Sequence, residues 1–284
     1  MQDYWKGVEN LPHSKCSEEW VRVSDTVSLR VLTWMPDDES LHQLEPVVMI
    51  PGWGSLFEGW KPLVEGWVSR RRVLYIETRE KTSARIEQKR MSAKDFSIER
   101  FSKDIAEVLS YYQLKNEFHL FSSSLGSTLL IDSLQRREIH AKSSLFVAPN
   151  EHFKLPLWSR AIIKLPLPIV ILKLMRSITL RAIEKKVKEE GQRIRYRRAL
   201  MEQELVRWRA SARSLIAYSL PEDLSNITVP CGILAAQSDK LHAMDAAKSI
   251  AARIPGAVMI EVPSNQYAHE ADVLVEVEAF HASL

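Results

Sequence analysis

The sequence predicts an α/β protein with a mostly parallel central sheet, helices on both faces and a separate helical segment set into its second half. Two observations carry that prediction. Short uninterrupted apolar runs alternate with segments of helical spacing, and the alternation breaks off over residues 150–222. With 284 residues there is enough chain for one large domain plus an insertion.

The first element is an exception to the parallel pattern. Glu19 to Trp34 alternates apolar and polar residues around Ser24-Asp25-Thr26, the mark of two antiparallel strands joined by a tight turn. The pattern then changes to runs such as Val47–Ile50, Val73–Ile76, Phe118–Phe121, Ser144–Val147, Gly232–Ala235 and Val258–Val262. Continuous apolar runs of this length fit strands covered on both faces. Helical spacing fills the intervals at 57–69, 98–113, 127–137, 241–254 and 271–281. Strand and helix in alternation imply parallel strands, with ligands bound beyond their carboxyl ends.

Residues 150–222 hold 16 Lys and Arg against 7 Glu, a balance of +9, although the whole chain carries only +3. The expected organisation is therefore a first core part at 1–149, a helical cap at 150–222 and a second core part at 223–284. Within the cap, Leu165, Leu167, Ile169, Ile171 and Leu172 suggest an apolar acyl pocket or a surface that touches lipid. Two prolines and two lysines interrupt the apolar stretch 161–175, which is too short for a membrane span. Most basic helix faces are simply solvated; peripheral lipid contact is the partner the composition allows, and no nucleic acid is expected.

Met1 to Glu9 lacks the apolar core of a secretory signal, and Cys16 and Cys231 form neither a metal cluster nor a disulfide framework. A cytoplasmic protein is expected, without metal or organic cofactor, since the chain has no ligand cluster or dinucleotide fingerprint. Composition leaves the oligomeric state open.

Four segments carry candidate chemistry. In Phe118-His-Leu-Phe-Ser-Ser-Ser-Leu-Gly126 a buried run passes through small residues straight into a helix. A sharp turn there lifts a serine hydroxyl above the sheet, where amides at the helix N-terminus favour a developing negative charge. Pro51-Gly-Trp-Gly-Ser55 places two of the chain's nine glycines around one residue, a turn built for close backbone approach. Ile233 to Lys240 is an apolar run that ends in Asp239. Val262 to Asp272 is a polar loop, holding His269, between the last strand and the last helix. Taken singly, each has a plain structural explanation: an N-cap for the serines and for Asp239, a connecting turn for the glycines, exposure for the histidine.

The first segment resembles the nucleophile elbow of the α/β-hydrolase superfamily, G-x-S-x-G, with Ser124 as nucleophile, Ser122 in place of the first glycine and Gly126 as the last. Ser123 is the fallback nucleophile. The order Ser124, Asp239, His269 matches the superfamily's order of nucleophile, acid and base, each after a predicted strand. The resemblance covers about residues 19 to 284. It implies an oxyanion hole made by the amides of Trp53 and Leu125, with Pro51 standing where many members have histidine and Ala268 where many have glycine before the base. It further implies hydrolysis of a small or acyl-chain carboxylic ester through an acyl-serine. Thioesterase, acyltransferase, lipase and peptidase readings stay open, as does a non-catalytic binding protein on the same fold. His242, His119, Asp245 and Glu270 are poorer alternatives because they lie in helical patterns or inside a strand.

Overall fold

The alternating residues near the start of the chain form two long antiparallel strands, β1 (Ser14–Ser24) and β2 (Val27–Pro36), joined by a tight turn at Asp25-Thr26. The protein is described here by a computed structural model covering residues 10–88, 90–153, 160, 163, 165, 168–236 and 244–284. The apolar runs form β3 (Val47–Ile50), β4 (Val73–Ile76), β6 (His119–Ser123), β7 (Ser143–Val147), β8 (Cys231–Ala236) and β9 (Val258–Val262). A two-residue strand, β5 (Arg85–Ile86), joins the edge of β2. Across the sheet the order is β1-β2-β4-β3-β6-β7-β8-β9. Strands from β4 to β9 are mutually parallel, and β2 meets β4 antiparallel.

Among the described residues the helices are α1 (Lys61–Val68), α2 (Ile98–Tyr111), α3 (Leu125–Gln135), α4 (Ile169–Lys186), α5 (Glu190–Glu202), α6 (Leu205–Leu215), α7 (Met244–Arg253) and α8 (Leu274–Ala282). Period-two alternation sorts the strand side chains into two cores. Val48, Ile50, Leu74 and Ile76 pack with residues of α2, α3 and α7 on one face. Val47, Met49, Val73 and Tyr75 pack with residues of α1 and α8 on the other. Helices α4 to α6 lie between β7 and β8.

Three expectations change in detail. The segment 57–69 is a 3-10 turn at Phe57–Gly59 followed by α1, because Pro62 is accommodated only in a first helical turn. Likewise Ala271–Val273 is a 3-10 turn before α8. Strand β9 is an edge, with Val258 49% exposed, so it lacks the two-sided cover expected of it. No described helix is long and apolar enough to cross a membrane.

The strand order positions the site. From β3 the chain moves to β4 on one side, while β6 lies against β3 on the other, which opens a crevice past the carboxyl ends of β3 and β6. Ile50 pairs with Ser122 across that junction. The turn Pro51–Ser55 therefore sits beside Ser123 and Ser124.

Candidate active site

Ser124 occupies the turn between β6 and α3 at φ 49° and ψ −110°, a conformation rarely adopted by residues with a side chain. The turn is held from several sides. The Ser124 amide donates to Val147 O at 2.9 Å, and its carbonyl accepts from the Thr128 amide at 3.0 Å and hydroxyl at 3.2 Å. Two glycines permit the close crossing: a Cβ on Gly126 would lie 2.2 Å from Ile50 O, and one on Gly52 would lie 3.3 Å from Ser124 Cβ. Ser122, at the position of the expected first glycine, is buried with its hydroxyl 3.1 Å from that of Ser127. Ser124, rather than Ser123, takes the turn position, and both border one cavity of about 200 Å³.

Asn150 Nδ2 donates to Ser124 Oγ at 3.1 Å. Asn150 follows β7 through Ala148, itself at positive φ, and its backbone amide is held by the Thr128 hydroxyl. The serine oxygen thus accepts one hydrogen bond from a side-chain amide, and a hydroxyl oxygen can accept while its O–H still donates.

His269 lies on a 3-10 turn, Tyr267–His269, after β9, and borders the same cavity. Its Nδ1 is 2.9 Å from Asn265 O. A carbonyl only accepts, so Nδ1 carries the hydrogen and Nε2 is the basic nitrogen. Trp60 stacks on the imidazole with centroids 3.9 Å apart, and Asn265 Oδ1 accepts from Arg195 at 2.8 Å. Asp239, the expected acid, and His242 both lie outside the described residues. Among the described residues, the Asn265 carbonyl and the stacked Trp60 ring both hold the imidazole's orientation. Of the remaining alternatives, Asp245 is in the first turn of α7, Glu270 ends the His269 turn, and His119 is buried in β6 against Ser143.

The Pro51–Ser55 turn is clamped at successive backbone groups. Gly52 O accepts from the Ser55 amide at 3.0 Å and from Lys81 Nζ at 3.2 Å. Gly54, at φ 63°, donates its amide to Glu80 Oε1 at 3.2 Å and accepts from Gln203 Nε2 at 3.0 Å. The peptide of Trp53 lies between these clamps. Its indole stacks on Trp208 at 5.7 Å and donates to Ser211 Oγ at 3.0 Å. Leu125, fully buried, opens α3, whose first amides have no partner within the helix.

Solved structures share this fold. An esterase from Exiguobacterium antarcticum superposes with a TM-score of 0.74 at 15% identity, over 94% of this chain and all of that one. A thermophilic esterase from Thermogutta terrifontis gives 0.69 at 12% identity, over 95% and 98%. The carboxylesterase CesB from Bacillus subtilis gives 0.68 at 16%, over 95% and 93%. The chain has the α/β-hydrolase fold. No protein-family model matches it, and neither does any curated protein.

On this α/β-hydrolase sheet, sequence reasoning missed three contributors. Glu80 and Lys81 are fully buried in the charged segment Glu77–Lys81 after β4, which reads in sequence as a solvated loop. Asn150 carries no motif. Of the two readings of the cap's apolar residues, the acyl pocket is the one the structure changes: among the described residues, the helical insertion reaches the cavity through Ile194, Arg195, Tyr196, Arg198 and Ala199 of α5. Leu165, Ile169 and Ile171 face outward, and Leu172 packs against Met175, so none of them forms an acyl pocket; Leu167 lies outside the described residues. The reason is that α4 lies over α5 and α6 rather than over the sheet.

Proposed function

We propose that the protein is a serine hydrolase acting on small carboxylic esters through an acyl-serine intermediate. The observation that carries this reading is a serine at a positive-φ elbow bordering the same cavity as a histidine whose Nδ1 is tied to a carbonyl. His269 Nε2 takes the Ser124 proton as Oγ attacks the ester carbon; the bond to the alkoxide leaving group breaks as His269 returns the proton to it. The amides of Trp53 and Leu125 bind the oxyanion, and water then releases the acid by the reverse relay. Asp239 is the acid assigned to steady the imidazolium. Esterase chemistry in the structural neighbours supports the reading, and α4 to α6 serve as the cap in it. Its specificity comes from α5, where Ile194, Tyr196 and Ala199 offer mixed apolar and polar contacts suited to a short acyl group.

The test is labelling with a fluorophosphonate probe. Wild type should label, and Ser124→Ala and His269→Ala should not. Undiminished labelling of Ser124→Ala would overturn the assignment. Absence of labelling in wild type would leave a binding protein on this fold as the better reading.

A further inference from the structure

The outer face of α4 is built as two halves. On its inner face Leu172 and Met175 are buried against Ile163, Leu205 and Ala212. On its outer face, at successive helical turns, stand Val170, Leu174 and Ile178, exposed by 70%, 60% and 40%, and Ile169 beside them is 51% exposed. The same stripe continues with Arg181 and Lys185, both exposed, and Lys173 flanks it. A surface helix ordinarily turns such residues inward, so an outward apolar stripe marks an interaction surface.

Charge selects the partner. The helix carries five Lys and Arg against one acid, Glu184, and Arg197 on α5 engages that acid at 2.9 Å. A second copy of the chain seated on this face would set cation against cation. A bilayer with anionic headgroups matches both halves, because the apolar turns enter the acyl boundary while lysine and arginine stems reach the phosphates.

We infer that α4 docks the protein on anionic lipid surfaces, with Val170, Leu174 and Ile178 inserted and Lys173, Arg181 and Lys185 on the headgroups. The assignment does not depend on the chemistry at Ser124. Docking would place α5, which packs on α4 and lines the cavity, near the membrane plane.

Co-sedimentation with phosphatidylcholine vesicles, with and without phosphatidylserine, tests this on the full chain. Wild type should bind the anionic vesicles at low salt and release as salt rises. Leu174→Asn should weaken the partition about tenfold, the scale of one large apolar side chain. Lys173→Gln with Arg181→Gln and Lys185→Gln should abolish the preference for phosphatidylserine. All six side chains are exposed, so circular dichroism and probe labelling at Ser124 should match wild type. No binding to anionic vesicles at low salt, or binding unchanged by either variant, would overturn the inference. So would a dimer in solution that Leu174→Asn dissociates, since a second copy would then own the stripe.

Discussion

The Glu80 carboxylate accepts the amide hydrogen of Gly54 at 3.2 Å, which fastens a buried ion pair to the turn that carries Trp53. Lys81 completes the arrangement: its Nζ lies 3.0 Å from Glu80 Oε1, 2.7 Å from the Thr78 hydroxyl and 3.2 Å from Gly52 O. Both side chains are wholly buried. Lys81→Met leaves the Glu80 charge in the core without its partner and should cost about 3–5 kcal/mol of stability by urea denaturation. Adding Glu80→Gln should recover most of that loss, because the uncompensated charge is gone. Probe labelling should stay impaired in the double variant, since the turn has lost its cationic clamp. Full labelling in the double variant would separate the ion pair from the site.

Asn150 is a positioning residue for the serine. Asn150→Ala removes the donor to Ser124 Oγ and should slow probe labelling about tenfold, the scale of one hydrogen bond, with little change in Tm. Asn150→Asp should be slower still, because a carboxylate beside the hydroxyl competes for its proton. Equal labelling by all three proteins would show that the hydroxyl is oriented from elsewhere.

Gly126 is fixed by space. A methyl group there meets the carbonyl of Ile50 at 2.2 Å, so β3 and α3 must separate to admit it. Gly126→Ala should lower stability by about 1–3 kcal/mol, the usual range for overpacking, and should also displace Ser124. Thermal unfolding and labelling measured together should fall together; a loss of neither would mean that the crossing is looser than this contact implies.

The same particulars show which parts of the molecule are legible in its sequence. Runs such as Val47–Ile50 and Val73–Ile76 announce their strands because both faces are covered, so every position is apolar. The Ser124 turn and the Gly52–Gly54 turn are legible because close backbone crossing restricts residue type. Glu80 and Lys81 are hidden because polar residues buried by mutual pairing have the composition of a surface loop, and half-buried Asn150 is hidden because one asparagine after a strand carries no motif. The outward apolar stripe of α4 is legible only as one of two alternatives, an acyl pocket or a lipid-facing surface, because Val170, Leu174 and Ile178 carry the signal of a core while facing solvent. No pattern of residue types distinguishes a helix buried by its own chain from one that leaves a face for something else.

A last expectation concerns acid. His119 in β6 and His281 in α8 stack with ring centroids 3.9 Å apart, and His119 Nδ1 lies 2.7 Å from the Ser143 hydroxyl. Burial is the main cause pushing His119 down from its ordinary 6.5 to about 4, with the Arg71 charge adding to it. Burial likewise pushes His281 down to about 3, with His119 and then Arg71 adding to it. Glu45 opposes both shifts and Lys142 reinforces them. Both rings are thus neutral in the fold at pH values where the unfolded chain already binds protons. Their contribution is fully present above about pH 6.5 and is lost as pH falls through 4 toward 3. Urea midpoints measured from pH 7 to 4 should fall with acid, and His281→Phe, which removes one titrating ring and keeps the stack, should flatten the decline. A wild-type profile no steeper than that of His281→Phe would mean that the pair does not govern the acid limit.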